Sequence, residues 1–300
     1  VPNLSARSLT VKSSHIIGVI VPLDDREDNG TSVSYFDNPY VSSMIGVIER
    51  ELRDNGYFVM IRAVRSQDDL SILMRNWNVD GAIFLYPRLG DRFEDSINAI
   101  VAETHLPVVL FDARTDNPEV INVCSDDRKG CYLSTRYLIN RGHKKIAFVA
   151  NYEGNPLLTD RFEGYRAAME ESGLGCDPDC IFSYSPSYEE GIAAGKAIAA
   201  SALKITGLVT TADICAIGIM EGARLGGLRI PTDLSVIGYD NLAVSTYTTP
   251  KLTTISQNVI KKAETAMELL LEKLRTGHVE QPHIQLDVEL VERQSTLSLL

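Results

Sequence analysis

Short β-branched runs alternate with longer helical patterns along this chain, and the series runs twice. In the first half strands are read at 16–21, 57–62, 81–86 and 107–111, and in the second at 145–150, 181–184, 207–210 and 234–239. Strands separated by a helix pair in one sheet in parallel, through a right-handed crossover that lays the helix on a sheet face. The alternation therefore predicts α/β architecture with parallel sheets covered on both faces, and two series predict two doubly wound lobes. Three hundred residues, 44% of them hydrophobic, supply enough apolar side chain for two cores.

Helix boundaries are written in the chemistry of the flanking residues. Asn38 can cap and Pro39 can take the first helical position, after which Val41, Met44, Ile45, Ile48 and Leu52 fall on one face until Asn55-Gly56 stops the helix. In the second lobe Asp160 is read as the cap of a helix carrying Phe162, Tyr165 and Met169 and ending at Gly173. Each lobe thus opens with strand, polar loop and capped helix. Ligands of parallel sheets bind beyond the carboxyl ends of the strands, so these loops are the first place to look for a site.

The tail carries more elements than a second lobe needs. After Tyr239-Asp240-Asn241 the segment 247–255 is extended and turn-rich, 259–274 reads as an amphipathic helix, and 284–291 as a last strand. The economical topology gives the helix to the first lobe and the strand to the second, with crossings near Val123, Gln257 and Pro282. The expected division is a linker over 1–13, a first lobe over 14–123 with 258–281, and a second over 124–257 with 282–300.

Several function classes are disfavoured. A net charge of −11 and a pI near 5.0 argue against this portion wrapping nucleic acid by itself, which needs clustered Lys and Arg. No apolar run approaches the ~20 residues of a membrane span, and no secretory h-region opens the chain, so a cytoplasmic protein with no membrane partner is expected. Cys124, Cys131, Cys176, Cys180 and Cys215 match neither a disulfide framework nor zinc spacing and are read as reduced thiols. The glycosylation patterns at Asn3 and Asn29 are then chance matches.

His143 follows Gly142 at a helix end and is read as a cap or dipole partner, while His15, His105, His278 and His283 lack metal-ligand spacing. There is no phosphate-cradling loop, dinucleotide fingerprint or nucleophile elbow, so neither an enzyme nor a cofactor or metal is expected. Trp77 is assigned to packing.

Seven phrases occur in a telling order: Pro2-Asn3 through Ala6-Arg7-Ser8-Leu9, Asn38-Pro39-Tyr40, Val79-Asp80-Gly81, the run 141–147, Arg161-Phe162-Glu163-Gly164-Tyr165, the run 236–241, and Leu252-Thr253-Thr254-Ile255. From Ala6 to about Thr296 this order resembles the lactose-repressor/galactose-repressor family of bacterial transcription regulators. The resemblance implies a fold of the type I periplasmic-binding-protein kind, with a small effector held in the cleft between lobes and three crossover strands at the hinge. It also implies a ligand-responsive transcriptional regulator, most simply a repressor. Its partner would be operator DNA, gripped through a helix-turn-helix head absent from this chain and through the hinge phrase.

By the same resemblance Asp112, Arg161 and Asp240 reach the effector. Carboxylates and a guanidinium suit that task, because they make fixed multi-point hydrogen bonds to vicinal hydroxyls. Asp24, Tyr35, Phe36, Tyr86, Tyr188 and Asp213 complete the expected effector set. Two departures from the family pattern concern the ligand: Ala212 stands where many relatives carry Asn, and Pro186 where some place a stacking aromatic, with Tyr188 nearby as a substitute. The effector is accordingly expected to be a small polar metabolite, a carbohydrate first of all.

Ala6, Arg7 and Leu9 are implied to enter the DNA minor groove, Leu9 as a wedge that kinks the duplex. Met44, Ile48, Ile217 and Tyr247 are implied to form the face of a homodimer. The rival readings are a solute-binding protein of a sugar transport system and a doubly wound enzyme. The first lacks an export signal at this N-terminus, and the second lacks a convergent catalytic constellation.

Overall fold

The computed structural model describes residues 13–22, 38–64, 67–85 and 93–300. The chain divides into two compact units, Val1–Cys124 with Ile260–Gln285 and Ser125–Val259 with Leu286–Leu300. Each holds a six-stranded sheet, so the doubly wound two-lobe architecture read from the sequence is the one observed.

In the first lobe the elements run β1 (Ile16–Pro22), α1 (Pro39–Asp54), β2 (Phe58–Val64), α2 (Gln67–Asn76), β3 (Gly81–Phe84), α3 (Phe93–Thr104), β4 (Val108–Phe111) and β5 (Val120–Ser125). With the late strand β11 (His283–Leu286) on its edge, the sheet order is β11-β5-β4-β3-β1-β2, and β2, β1, β3, β4 and β5 are mutually parallel. α1 starts as read: Asn38 Oδ1 accepts the Tyr40 backbone N–H at 2.9 Å, and Pro39 opens the first turn. Its apolar stripe, with Met44, Ile48 and Leu52 fully buried, is what holds the helix on the sheet. Trp77 packs: a Cβ at Gly18 of β1 would stand 2.3 Å from its ring, so glycine there admits the indole.

The second lobe runs α4 (Asp127–Asn140), β6 (Ile146–Val149), α5 (Pro156–Glu171), β7 (Ile181–Phe182), α6 (Tyr188–Ala200), β8 (Gly207–Thr210), α7 (Asp213–Leu225), β9 (Ser235–Asp240) and β10 (Thr253–Ser256). The helix α8 (Val259–Thr276) returns to the first lobe, and β11 (His283–Leu286) and β12 (Glu289–Val291) close the chain. The second sheet has the order β12-β10-β9-β8-β6-β7, parallel except for the antiparallel β10–β12 pair. Leu208 and Val236 face one apolar cluster with α6 and α7, while Val209 and Ile237 face the other with α4 and α5. Both faces being covered, the strands read as continuous apolar runs.

Three sequence readings are corrected. The helix carrying Arg161 starts a turn earlier than Asp160: its cap is Asn155 and Pro156 its first residue, so the chain reuses the Asn-Pro device of Asn38-Pro39. The single final strand read over 284–291 is two, β11 on the edge of the first sheet and β12 on the edge of the second, with Asp287 between them. Neither edge piece buries a full face, which is why the pattern ran them together. The strand β5 escaped the sequence reading, although its residues Val120, Ile121 and Val123 are fully buried.

Close helix approach depends on glycine at two contacts. Gly191 and Gly195 of α6 meet Gly218 and Gly222 of α7, where added Cβ atoms would stand 2.1–2.4 Å from backbone oxygens of the facing helix. Gly164 plays the same part between α5 and α4.

Candidate functional site

The parallel strands β6, β8, β9 and β10 all end on the same edge of the second sheet, and the side chains that follow those ends form a connected polar group. Arg161, in the second turn of α5, is 4% exposed. Its Nε and Nη2 each lie 2.7 Å from Asp127 Oδ1, and Nη1 donates to the Thr211 carbonyl at 2.5 Å. The guanidinium carbon sits 3.7 Å from the centre of the Tyr239 ring, and the Tyr239 hydroxyl donates to the same Asp127 oxygen at 3.0 Å. Burial alone would lower the Arg161 pKa, but the Asp127 charge, helped by Tyr239 and Asp240, raises it well above its ordinary value. Burial, then the Asp127 charge, pushes the Tyr239 hydroxyl up, so it stays a neutral donor. The guanidinium is thus held charged and in one orientation by groups of its own lobe.

Asp240 ends β9 with φ 116°, and Asn241 follows at φ 58°. Two successive non-glycine residues at positive φ are costly and persist where surrounding bonds over-determine them. Here those bonds are visible. Gln257 Nε2, just past β10, donates to Asp240 Oδ1 at 2.5 Å; Arg293 Nη2 donates to Asn241 Oδ1 at 2.5 Å.

Asp213 is not at an open surface: it is fully buried, taking the Leu242 N–H at 2.8 Å and the Thr254 hydroxyl at 2.5 Å. Burial, then the Asp240 charge, raises its pKa well above the usual carboxylate value. Its position ties the loop after β9 to β10, and so shapes the backbone that presents Asp240.

In the first lobe Asp112 follows β4 with φ 53°. Its carboxylate accepts from Lys262 Nζ at 2.8 and 2.9 Å and from the Tyr40 hydroxyl at 3.3 Å. Lys262 is fully buried. Asp112, expected from the resemblance to reach the effector, is half of a buried ion pair between the end of β4 and the first turn of α8.

The remaining expectations fall as follows. Tyr188 opens α6 and is 36% exposed. Asp24, Tyr35, Phe36 and Tyr86 lie outside the described residues, as do Ala6, Arg7 and Leu9. Met44 and Ile48 are fully buried inside their own lobe, and this corrects their assignment to a dimer face, since enclosed side chains have no surface to offer a partner. Tyr247, 76% exposed, and the half-buried Ile217 keep some surface. His143 does not merely cap a helix: it is 1% exposed and bonds to the Thr206 hydroxyl and the Leu297 carbonyl. Among the described residues no group of three or more His, Cys, Asp or Glu could hold a metal ion, and no helix is long and apolar enough to cross a membrane.

Sequence reasoning missed Asp127, Tyr239, Gln257 and Lys262. Only the last left a local signal: with Val259, Ala263, Ala266, Met267 and Leu270 buried, Lys262 falls on the apolar face of α8, where a cation requires a partner.

Comparison with known proteins places this geometry in context. The periplasmic binding protein-like domain family matches residues 135–296, more than half of the chain. The HTH-type transcriptional repressor PurR of Pasteurella multocida (strain Pm70) is 30% identical over 304 residues, spanning 100% of this chain and 86% of that protein. The HTH-type transcriptional regulator RegA of Clostridium saccharobutylicum is 29% identical over 302 residues, spanning 99% and 86%. The crystal structure of a LacI family transcriptional regulator from Enterococcus faecium, with bound ribose, superimposes with a TM-score of 0.81 at 27% identity, covering 95% of this chain and 100% of that one.

Proposed function

Since the chain belongs to the lactose-repressor/galactose-repressor family and is the effector-binding core of a ligand-responsive transcriptional regulator, we propose that its effector is a small sugar read by Arg161 and Asp240 of the second lobe. The observation that carries this reading is a fixed, charged guanidinium in the helix after β6, in the same lobe as a carboxylate whose backbone is held at positive φ at the end of β9. An oriented donor and an oriented acceptor suit a polyol, whose hydroxyls both give and take hydrogen bonds. The ribose in the Enterococcus faecium regulator supports the same ligand class.

The protein acts in the cytoplasm as a homodimer, with Tyr247 and Ile217 on its face, and recognises a two-fold operator through a helix-turn-helix head of the kind for which the relatives are named. Ala6, Arg7 and Leu9 enter the minor groove beside it. The sugar binds one of two states of the protein more tightly, and shifts operator affinity by about 1–3 kcal/mol, the usual scale of allosteric coupling.

Calorimetry against aldopentoses, aldohexoses and disaccharides tests the effector, with Asp240→Asn as the site variant. A bound sugar whose affinity falls at least tenfold in Asp240→Asn is expected. Failure of every sugar to bind, or equal binding by the variant, overturns the site. Fluorescence anisotropy of the regulator with its head on operator and scrambled duplexes, with and without that sugar, tests the coupling; an operator preference indifferent to the sugar overturns it.

A further inference from the structure

Thr211 stands directly after β8, 2% exposed, and its hydroxyl oxygen is one of two buried side-chain polar atoms with no hydrogen-bond partner among the described residues. Burying a hydroxyl without a partner is costly, and valine would fill the same volume without that cost. A threonine here is explained by a partner that arrives from outside the chain.

The surroundings indicate what that partner is. Thr210 pairs with Val149 and Val209 with Ile237, so Thr211 comes level with Ala150 and Tyr239 at the strand ends. Alternation places its side chain on the face shared by Val209, Ile237 and Tyr239, which is the face of α4 and α5. Its own carbonyl receives Arg161 Nη1 at 2.5 Å. The hydroxyl therefore belongs to the layer that holds Arg161, Asp127 and Tyr239. Those three groups are already bonded to one another, whereas the Thr211 hydroxyl can both donate and accept. The next residue, Ala212, has no polar side-chain atom to compete for a ligand.

We propose that the Thr211 hydroxyl is a further effector contact, bonding one hydroxyl of the bound sugar beside Arg161, and that it selects sugars bearing that hydroxyl over their deoxy analogues. This rests on the sugar reading given above. Such a contact discriminates strongly, because a deoxy ligand leaves the protein hydroxyl buried and unpaired again.

The experiment is calorimetry on wild type, Thr211→Val and Thr211→Ser with the tightest-binding sugar of the panel and each of its monodeoxy analogues, alongside thermal melts of the ligand-free proteins. Thr211→Val keeps the carbonyl that Arg161 uses and is expected to bind the parent sugar about tenfold more weakly, a loss of roughly 1.4 kcal/mol. Thr211→Ser should retain most of the affinity, and one deoxy analogue should bind wild type and Thr211→Val equally. The ligand-free valine variant should melt no lower than wild type. Parent-sugar affinity unchanged in Thr211→Val overturns the proposal, as does a lower melting temperature of that variant with no change in selectivity among the analogues. If Asp240→Asn weakens binding while Thr211→Val does not, this inference alone fails; if neither does, or no sugar binds, the site reading fails and takes it along.

Discussion

Gly164 sits one turn beyond Arg161 on α5, and a Cβ on it would stand 1.9 Å from the carbonyl oxygen of Arg128 on α4. Arg128 follows Asp127, the carboxylate that holds the Arg161 guanidinium. The close approach of the two helices and the ion pair are one arrangement: the backbones come near enough only because position 164 has no side chain.

Gly164→Ala should therefore push α5 from α4 and lengthen the Arg161–Asp127 contact. Overpacking of this kind costs about 1–3 kcal/mol. Urea unfolding followed by far-UV circular dichroism measures the loss, and effector affinity should fall in step. A variant with wild-type stability would show that the helices separate without strain.

Asp127→Asn removes the negative charge that accompanies a guanidinium only 4% exposed. Breaking a buried pair from one side costs about 3–5 kcal/mol, because the remaining charge is left in a poor solvent. The double variant Asp127→Asn/Arg161→Met should recover part of that stability while binding no effector. A double variant no more stable than Asp127→Asn would mean that burial of the charge is not the source of the cost.

The Lys262–Asp112 pair makes the corresponding prediction for the first lobe. Lys262→Met should destabilise that lobe by about 3–5 kcal/mol on the same argument, and Lys262→Met/Asp112→Asn should restore much of it. Trp77, the only tryptophan, lies against the first-lobe core, so its fluorescence reports this lobe during denaturation. A tryptophan transition at the wild-type midpoint in Lys262→Met would contradict the prediction.

His143 gives the second lobe a pH dependence. The Leu297 carbonyl, 3.0 Å from Nε2, can only accept, so Nε2 carries the proton and Nδ1 accepts from the Thr206 hydroxyl, also at 3.0 Å. Burial pulls the pKa of this ring below 6.5, outweighing the upward pull of the Leu297 bond. The unfolded chain then takes up the proton first as pH falls. This contribution to stability is complete above the ordinary histidine value and is lost as pH drops from there toward the depressed folded value. Between about pH 7 and pH 5 the wild type should lose more melting temperature than His143→Gln does; parallel slopes would exclude His143 as the titrating group.

What could be read from the chain alone depended on periodicity and local chemistry. Strands buried on both faces are runs of apolar residues whatever their neighbours are, and Asn38-Pro39 caps a helix without outside help, so the two-lobe plan and most elements were legible. Arg161 and Asp240 were singled out because they belong to contiguous phrases at element ends. Met44 and Ile48 were misassigned for the same reason: a stripe on a helix is apolar whether it covers the lobe's own core or a partner. Division of the last strand between two sheets, and the partners of the charged groups, were decided only by tertiary structure. Asp127 and Arg161 are 34 residues apart, and Asp112 and Lys262 are 150 apart. No local pattern marks which distant charge will meet which, because the pairing follows from where the sheet puts strand ends and how closely glycine lets helices approach. A buried ion pair is a property of that geometry, and in one dimension its two halves look like any surface Asp, Arg or Lys.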